Sequence, residues 1–149
     1  MPATSLNRLA VMATTHCLIG CAIGEVTGMA IATALGWANL AQIATAVFLA
    51  YVFGFGLTAV PLVRAGLPAR TVVSTALAAD TVSITIMEVI DNVTVLLIPS
   101  AMEAGPGDPL LYGSIALGFA IAYPFAFGAN RYMIARGKGH AVAHGHHAA

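Results

Sequence analysis

The sequence predicts an all-α, polytopic membrane protein: one domain of four transmembrane helices, with both termini cytoplasmic. Three observations carry this. Four apolar segments divide the chain, each long enough to cross a hydrocarbon core of about 30 Å. The composition, 59% hydrophobic and 8% charged over 149 residues, lies far outside soluble globular usage. Finally, every Lys and Arg falls on one side of the resulting topology: Arg8 at the start, Arg64 and Arg70 in the middle loop, and Arg131, Arg136 and Lys138 at the end. The other two loops hold no base, so the positive-inside rule puts both termini and the middle loop in the cytoplasm.

The first span covers about residues 9–35. Gly20, Gly24, Gly28, Ala32 and Gly36 recur every four residues, a small-residue ridge that lets a neighbouring backbone approach closely, within the subunit or between copies. Beside it run Cys17, Cys21, Glu25, Met29 and Thr33 at the same spacing, with His16 at the cytoplasmic end. Cys17 and Cys21, one turn apart on one helix, are poorly placed for a disulfide and read as free thiols. The second span, about 40–63, holds Gln42, Thr45, Tyr51 and Thr58 as polar contacts, with Gly54 and Gly56 allowing close packing.

The third span, about 71–102, is the unusual one. Its centre reads ADTVSITIMEVIDN and carries Asp80, Glu88 and Asp91 with Thr81, Ser83, Thr85 and Asn92. At 100° per residue, Asp80 and Asp91 project within roughly 20° of each other, with Ser83 and Met87 on one flank and Thr81 and Glu88 on the other. An acid at the bilayer centre costs roughly 2.5–3.5 kcal/mol and an aliphatic residue returns about 0.5. This polar arc must therefore face protein or a wet cavity. The fourth span, about 110–134, contains Pro124 and ends at Asn130 and Arg131, and the tail 137–149 holds His140, His144, His146 and His147. Gly- and Pro-rich turns at 64–70 and 103–109 separate the later spans.

Counting 1.5 Å per residue along two helices that run in the same direction, Cys17 falls level with Asp80 and Glu25 level with Glu88. Were the first and third helices to touch, they would form a ladder of imidazole, thiol, carboxylate and thioether groups. Thiolates suit Cu(I) and zinc-like ions, imidazole suits several transition metals, and carboxylates suit harder cations or protons. Read blandly, the cysteines are small packing residues, the methionines are core, and the acids are interhelical contacts. The acids resist that reading, because no intramembrane base partners them. There is no phosphate-binding loop and no hydrolase-like arrangement of Ser, His and acid, so neither an enzyme nor an ATP-driven pump is expected.

HCLIGC in the first span, ADTVSITIMEVIDN in the third and NRYMIARGKGHAVAH at the end together resemble a bacterial family of small four-helix membrane proteins of undefined function. The resemblance covers essentially the whole chain. It implies a multi-pass protein of the bacterial inner membrane and an association with copper or heavy-metal contexts. The positions it carries over are His16, Cys17, Cys21, Asp80, Glu88, Asp91, Asn92, Asn130, Arg131 and His140.

The expected function is transport of a transition-metal ion, copper(I) favoured, by a homo-oligomer embedded in the lipid bilayer, with no nucleic-acid partner. His16, Cys17, Cys21, His140 and His144 would hold the metal. Glu25, Asp80, Ser83, Thr85, Met87, Glu88, Asp91 and Asn92 would line the ion path, and Gly20, Gly24 and Gly28 would pack the helices. Two alternatives stand beside it: a proton or monovalent-cation channel lined by the carboxylates, and a subunit binding haem or a partner protein through His16, His140 and His144.

Overall fold

The computed structural model describes residues 3–138 and 140 of the chain, and its described residues form four α-helices and no strand. These are α1 (Ala3–Ala34), α2 (Asn39–Arg64), α3 (Ala69–Leu97) and α4 (Pro109–Ala135). All four are long and apolar enough to span a bilayer, which makes the chain a multi-pass membrane protein in contact with lipid. In hydrocarbon a spanning segment must satisfy its own backbone, and a helix does so without a partner. Large apolar side chains accordingly stay on the outside: Phe48 is 66% and Phe125 61% exposed.

The helix bounds follow the sequence closely except in two places. α1 begins at Ala3, a turn and a half before the apolar run. α3 stops at Leu97 rather than continuing to 102, because Pro99 biases the residue before it away from the helical region. Ile98 is extended, with φ −85° and ψ 119°, and Ser100 then takes φ +64° to turn the chain. At the start of α4 the Asp108 side chain accepts from the Leu110 N–H at 2.9 Å, and Pro109 occupies the first turn, where no amide donor is needed. α4 runs unbroken through Pro124 and ends before Gly137, which has φ +69°. The helix thus ends before His140. His144, and the other tail histidines, lie outside the described residues.

Packing runs around the bundle as α1 on α2, α2 on α3, α3 on α4 and α4 on α1, with α1 also reaching α3 across the diagonal. The glycine ridge faces α2, inside the subunit. A Cβ on Gly20 would lie 2.7 Å from the Gly54 Cα, one on Gly28 2.5 Å from the Ala46 Cα, and one on Gly24 would run into the Ala50 backbone. Backbones this close gain dispersion contacts that larger residues would forbid. Beside the ridge on α1, Cys17, Cys21, Glu25 and Met29 are buried toward the interior. α3 buries Asp80, Ser83, Met87, Glu88, Asp91 and Asn92 on one face. Thr85 departs from the expected ion path. It sits on the outer surface, bonds the Tyr51 hydroxyl of α2 and donates to the Thr81 carbonyl at 2.6 Å. A threonine in a helix can satisfy its hydroxyl on its own backbone, so it need not turn inward.

Gly24 and Gly56 give opposite expectations from the same substitution. Gly24→Ala should destabilise the bundle by about 1–3 kcal/mol through overpacking. Gly56→Ala meets nothing within 4 Å and should stabilise it by about 0.4–1 kcal/mol, since alanine restricts the unfolded chain. Thermal unfolding of the two variants in detergent, side by side, reads both signs.

Candidate metal centre

Three side chains from distant parts of the chain meet inside the bundle, and the helices dictate two of them. Cys17 lies on the inward stripe of α1 and Asp80 on the inward face of α3, level with it. The Cys17 thiol donates to Asp80 Oδ1 at 3.6 Å. The third comes from beyond α4: His140 Nε2 lies 3.0 Å from Asp80 Oδ1 and 3.4 Å from Cys17 Sγ. Cys17 and Asp80 are fully enclosed and His140 is 4% exposed. Asp80 Oδ2 has no hydrogen-bond partner among the described residues.

The size of this triangle matters. A tetrahedral ion with ligand bonds of about 2.0–2.3 Å leaves its donor atoms roughly 3.3–3.6 Å apart. The three edges here are 3.0, 3.4 and 3.6 Å. Sulfur, nitrogen and oxygen could therefore close on one ion with shifts of a few tenths of an ångström. Among the described residues this is the one group of three or more His, Cys, Asp or Glu donors gathered tightly enough to do so.

The other expected ligands lie around this centre, not in it. His16 bonds Thr58 of α2 at 3.0 Å, and its ring stands edge-on to His140 with centres 5.8 Å apart. It flanks the site and helps hold the His140 ring. Cys21 is a free, buried thiol one turn deeper that faces Glu88. Met87 and Met29 belong to the apolar core. Ser83 and Asn92 are buried with hydrogen-bonding roles: Asn92 Nδ2 donates to the Glu88 carbonyl at 2.9 Å, while Ser83 accepts from Asn130.

Asn130 has a larger role than its place near the helix exit suggested. Fully buried, its Nδ2 donates to Thr14 of α1 at 3.0 Å and to Ser83 of α3 at 3.1 Å. The knot ties three helices together beside the Cys17 site, and Arg131, next in sequence, donates to Asn7 at 2.7 Å to close the same end of the bundle. The signal available in the sequence was an amide side chain inside an apolar span, which must find partners there.

The fold and its interior define a small multi-pass helical membrane protein whose intramembrane acids are confined to its core. Residues 6–139 match the family described as "Domain of unknown function (DUF4396)", and the chain belongs to that family. No curated protein and no solved structure matches it.

Removing the Asn130 amide takes the donor away from two buried hydroxyl oxygens, those of Thr14 and Ser83. Asn130→Ala should destabilise the protein by about 1–3 kcal/mol, read as a lower unfolding midpoint in detergent that added metal does not change in size.

Proposed function

We propose that the protein binds a transition-metal ion within the membrane and carries it across. The observation behind this reading is the convergence of Cys17 Sγ, Asp80 Oδ1 and His140 Nε2 inside a membrane-spanning bundle. The donor set also speaks to the ion. Thiolate and imidazole alone suit copper(I), the ion favoured from the sequence, but a carboxylate as third donor fits a borderline divalent ion better. Zn²⁺ accepts all three donor types in one tetrahedral shell and keeps its fourth position for an exchanging ligand. Zinc is therefore our leading cargo, with copper second.

Orientation supports the same picture. By the positive-inside rule the bases at both termini and in the middle loop favour a cytoplasmic position for that end of the bundle, which would put the Cys17 site toward the cytoplasmic side. His140, arriving from the tail, would then be the ligand most able to exchange, because the other two are set on packed helices. The setting we propose is the bacterial inner membrane. The glycine ridge is taken up by α2, so self-association into a homo-oligomer would use the lipid-facing surfaces.

Metal binding must displace protons. His140 Nε2 faces both partners and must carry no hydrogen when it ligates. Zinc affinity should fall as pH is lowered, because binding to a thiol releases a proton. Titration calorimetry on protein in nanodiscs tests this. Cys17→Ser, Asp80→Asn and His140→Ala should each weaken binding by at least about 10–100-fold, the loss that even an outer-shell partner's removal brings. Cys21→Ser should leave it unchanged. Wild-type protein that binds neither zinc nor copper(I) with these residues would overturn the reading and leave the three contacts as a hydrogen-bonded latch.

A further inference from the structure

Eight residues beyond Cys17 on α1 and beyond Asp80 on α3, about 12 Å deeper along both helices, lies a second polar cluster with different chemistry. Glu25 comes from α1, and Glu88 and Asp91 from α3. Glu25 and Asp91 are fully enclosed and Glu88 is 3% exposed. Neither Glu25 oxygen and neither Asp91 oxygen has a hydrogen-bond partner among the described residues, nor does Glu88 Oε1. Yet the Glu25 and Glu88 carboxyl groups come within hydrogen-bonding range of one another. They are two acceptors face to face with no donor between them. As two anions in a low-dielectric interior they would repel strongly, and a single shared proton turns that repulsion into a hydrogen bond.

The surroundings leave the pair this solution. No Lys or Arg lies at this level of any helix. From α1, Cys21 also faces Glu88; from α3, Asp91 lies within electrostatic reach of both glutamates. α4 offers no ionisable side chain here. It presents Gly118, where any Cβ would collide with Asp91 Oδ1, so the helix makes room for the carboxyl. From α2 the ionisable group is Tyr51, on a groove between α2 and α3 that Thr85, Glu88 and Asn92 also line. Its hydroxyl bonds Thr85, and Asn92 Nδ2 reaches Glu88 Oε2 at 3.4 Å. The carboxyl oxygens do not gather into a metal-sized group. A proton requires only two of them.

We propose that Glu25 and Glu88 share one proton, forming a mid-membrane proton-binding site whose loading and release are coupled to passage of the metal ion past Cys17. The proton site stands on its own geometry; the coupling rests on the transport reading above. The α2–α3 groove, where Tyr51, Thr85 and Asn92 sit among apolar side chains, reaches Glu88 from the outer face of the bundle.

Two measurements test this. Infrared difference spectroscopy on metal-free protein in lipid nanodiscs, with pH stepped from about 5 to about 9, should show a protonated-carboxyl stretch still present at neutral pH. That band should disappear in Glu25→Gln and in Glu88→Gln and persist in Cys17→Ser. Its absence from the wild-type protein overturns the proton site whatever the metal results, and needs no variant to fold. Zinc uptake into proteoliposomes should change several-fold when a proton gradient is imposed. Glu88→Gln should abolish that dependence while its zinc affinity stays at the wild-type value. Wild-type uptake indifferent to the gradient overturns the coupling, and no uptake at all overturns transport and coupling together, while the infrared result decides the proton site separately.

Discussion

Four carboxyl groups set deep in an apolar bundle, with no Lys or Arg beside them and an imidazole beside Asp80 alone, dictate how this protein is assembled. Glu25, Asp80, Glu88 and Asp91 are all buried. Hydrocarbon gives an acid no hydrogen bonds and little dielectric relief, so lipid exposure would cost several kcal/mol for each of them. Facing them inward settles the rotation of α1 and α3 about their axes. It also explains why these two helices meet across the diagonal while α2 and α4 sit at opposite corners. Hydroxyl groups escape the constraint. Thr45, Thr94 and Ser114 each donate to the carbonyl four residues back, at 2.7–2.8 Å, and can be placed on either face.

Small residues are what make the constraint bearable. The ridge of Gly20, Gly24 and Gly28 brings α2 against α1 backbone to backbone, and Gly118 leaves space for Asp91. Close approach replaces the hydrophobic drive that soluble bundles use, since side chains gain little by leaving lipid for protein. The Asn130 bonds to Thr14 and Ser83 then add a directional tie at the end where the mixed thiol, imidazole and carboxylate site lies. Along one inward stripe the chemistry passes from sulfur, nitrogen and oxygen at Cys17, Asp80 and His140 to oxygen-dominated groups at Glu25, Glu88 and Asp91. The proposed ion and proton would thus meet ligands suited to each at successive depths.

Much of this was legible beforehand, and for identifiable reasons. Hydropathy marked the four spans to within a few residues over most of their length, because a membrane crossing demands a continuous apolar run. Helical rise alone put Cys17 level with Asp80 and Glu25 level with Glu88. The burial of the acids followed from what lipid cannot solvate. Where the reading strayed, a local alternative was available to the chain: Pro99 ends α3 early, and Thr85 satisfies itself on its own backbone.

Sequence by itself thus determined the membrane class, the four spans, the inward acids and the pairing in depth of α1 with α3, since each follows from periodicity and solvation along a single helix. Tertiary structure alone decided that the glycine ridge meets α2, that Asn130 joins three helices, and that His140 completes the site with Cys17 and Asp80. These depend on where chain segments go after a turn. A residue at positive φ such as Gly137 redirects the backbone without saying toward what, and only packing against the rest of the molecule selects the destination.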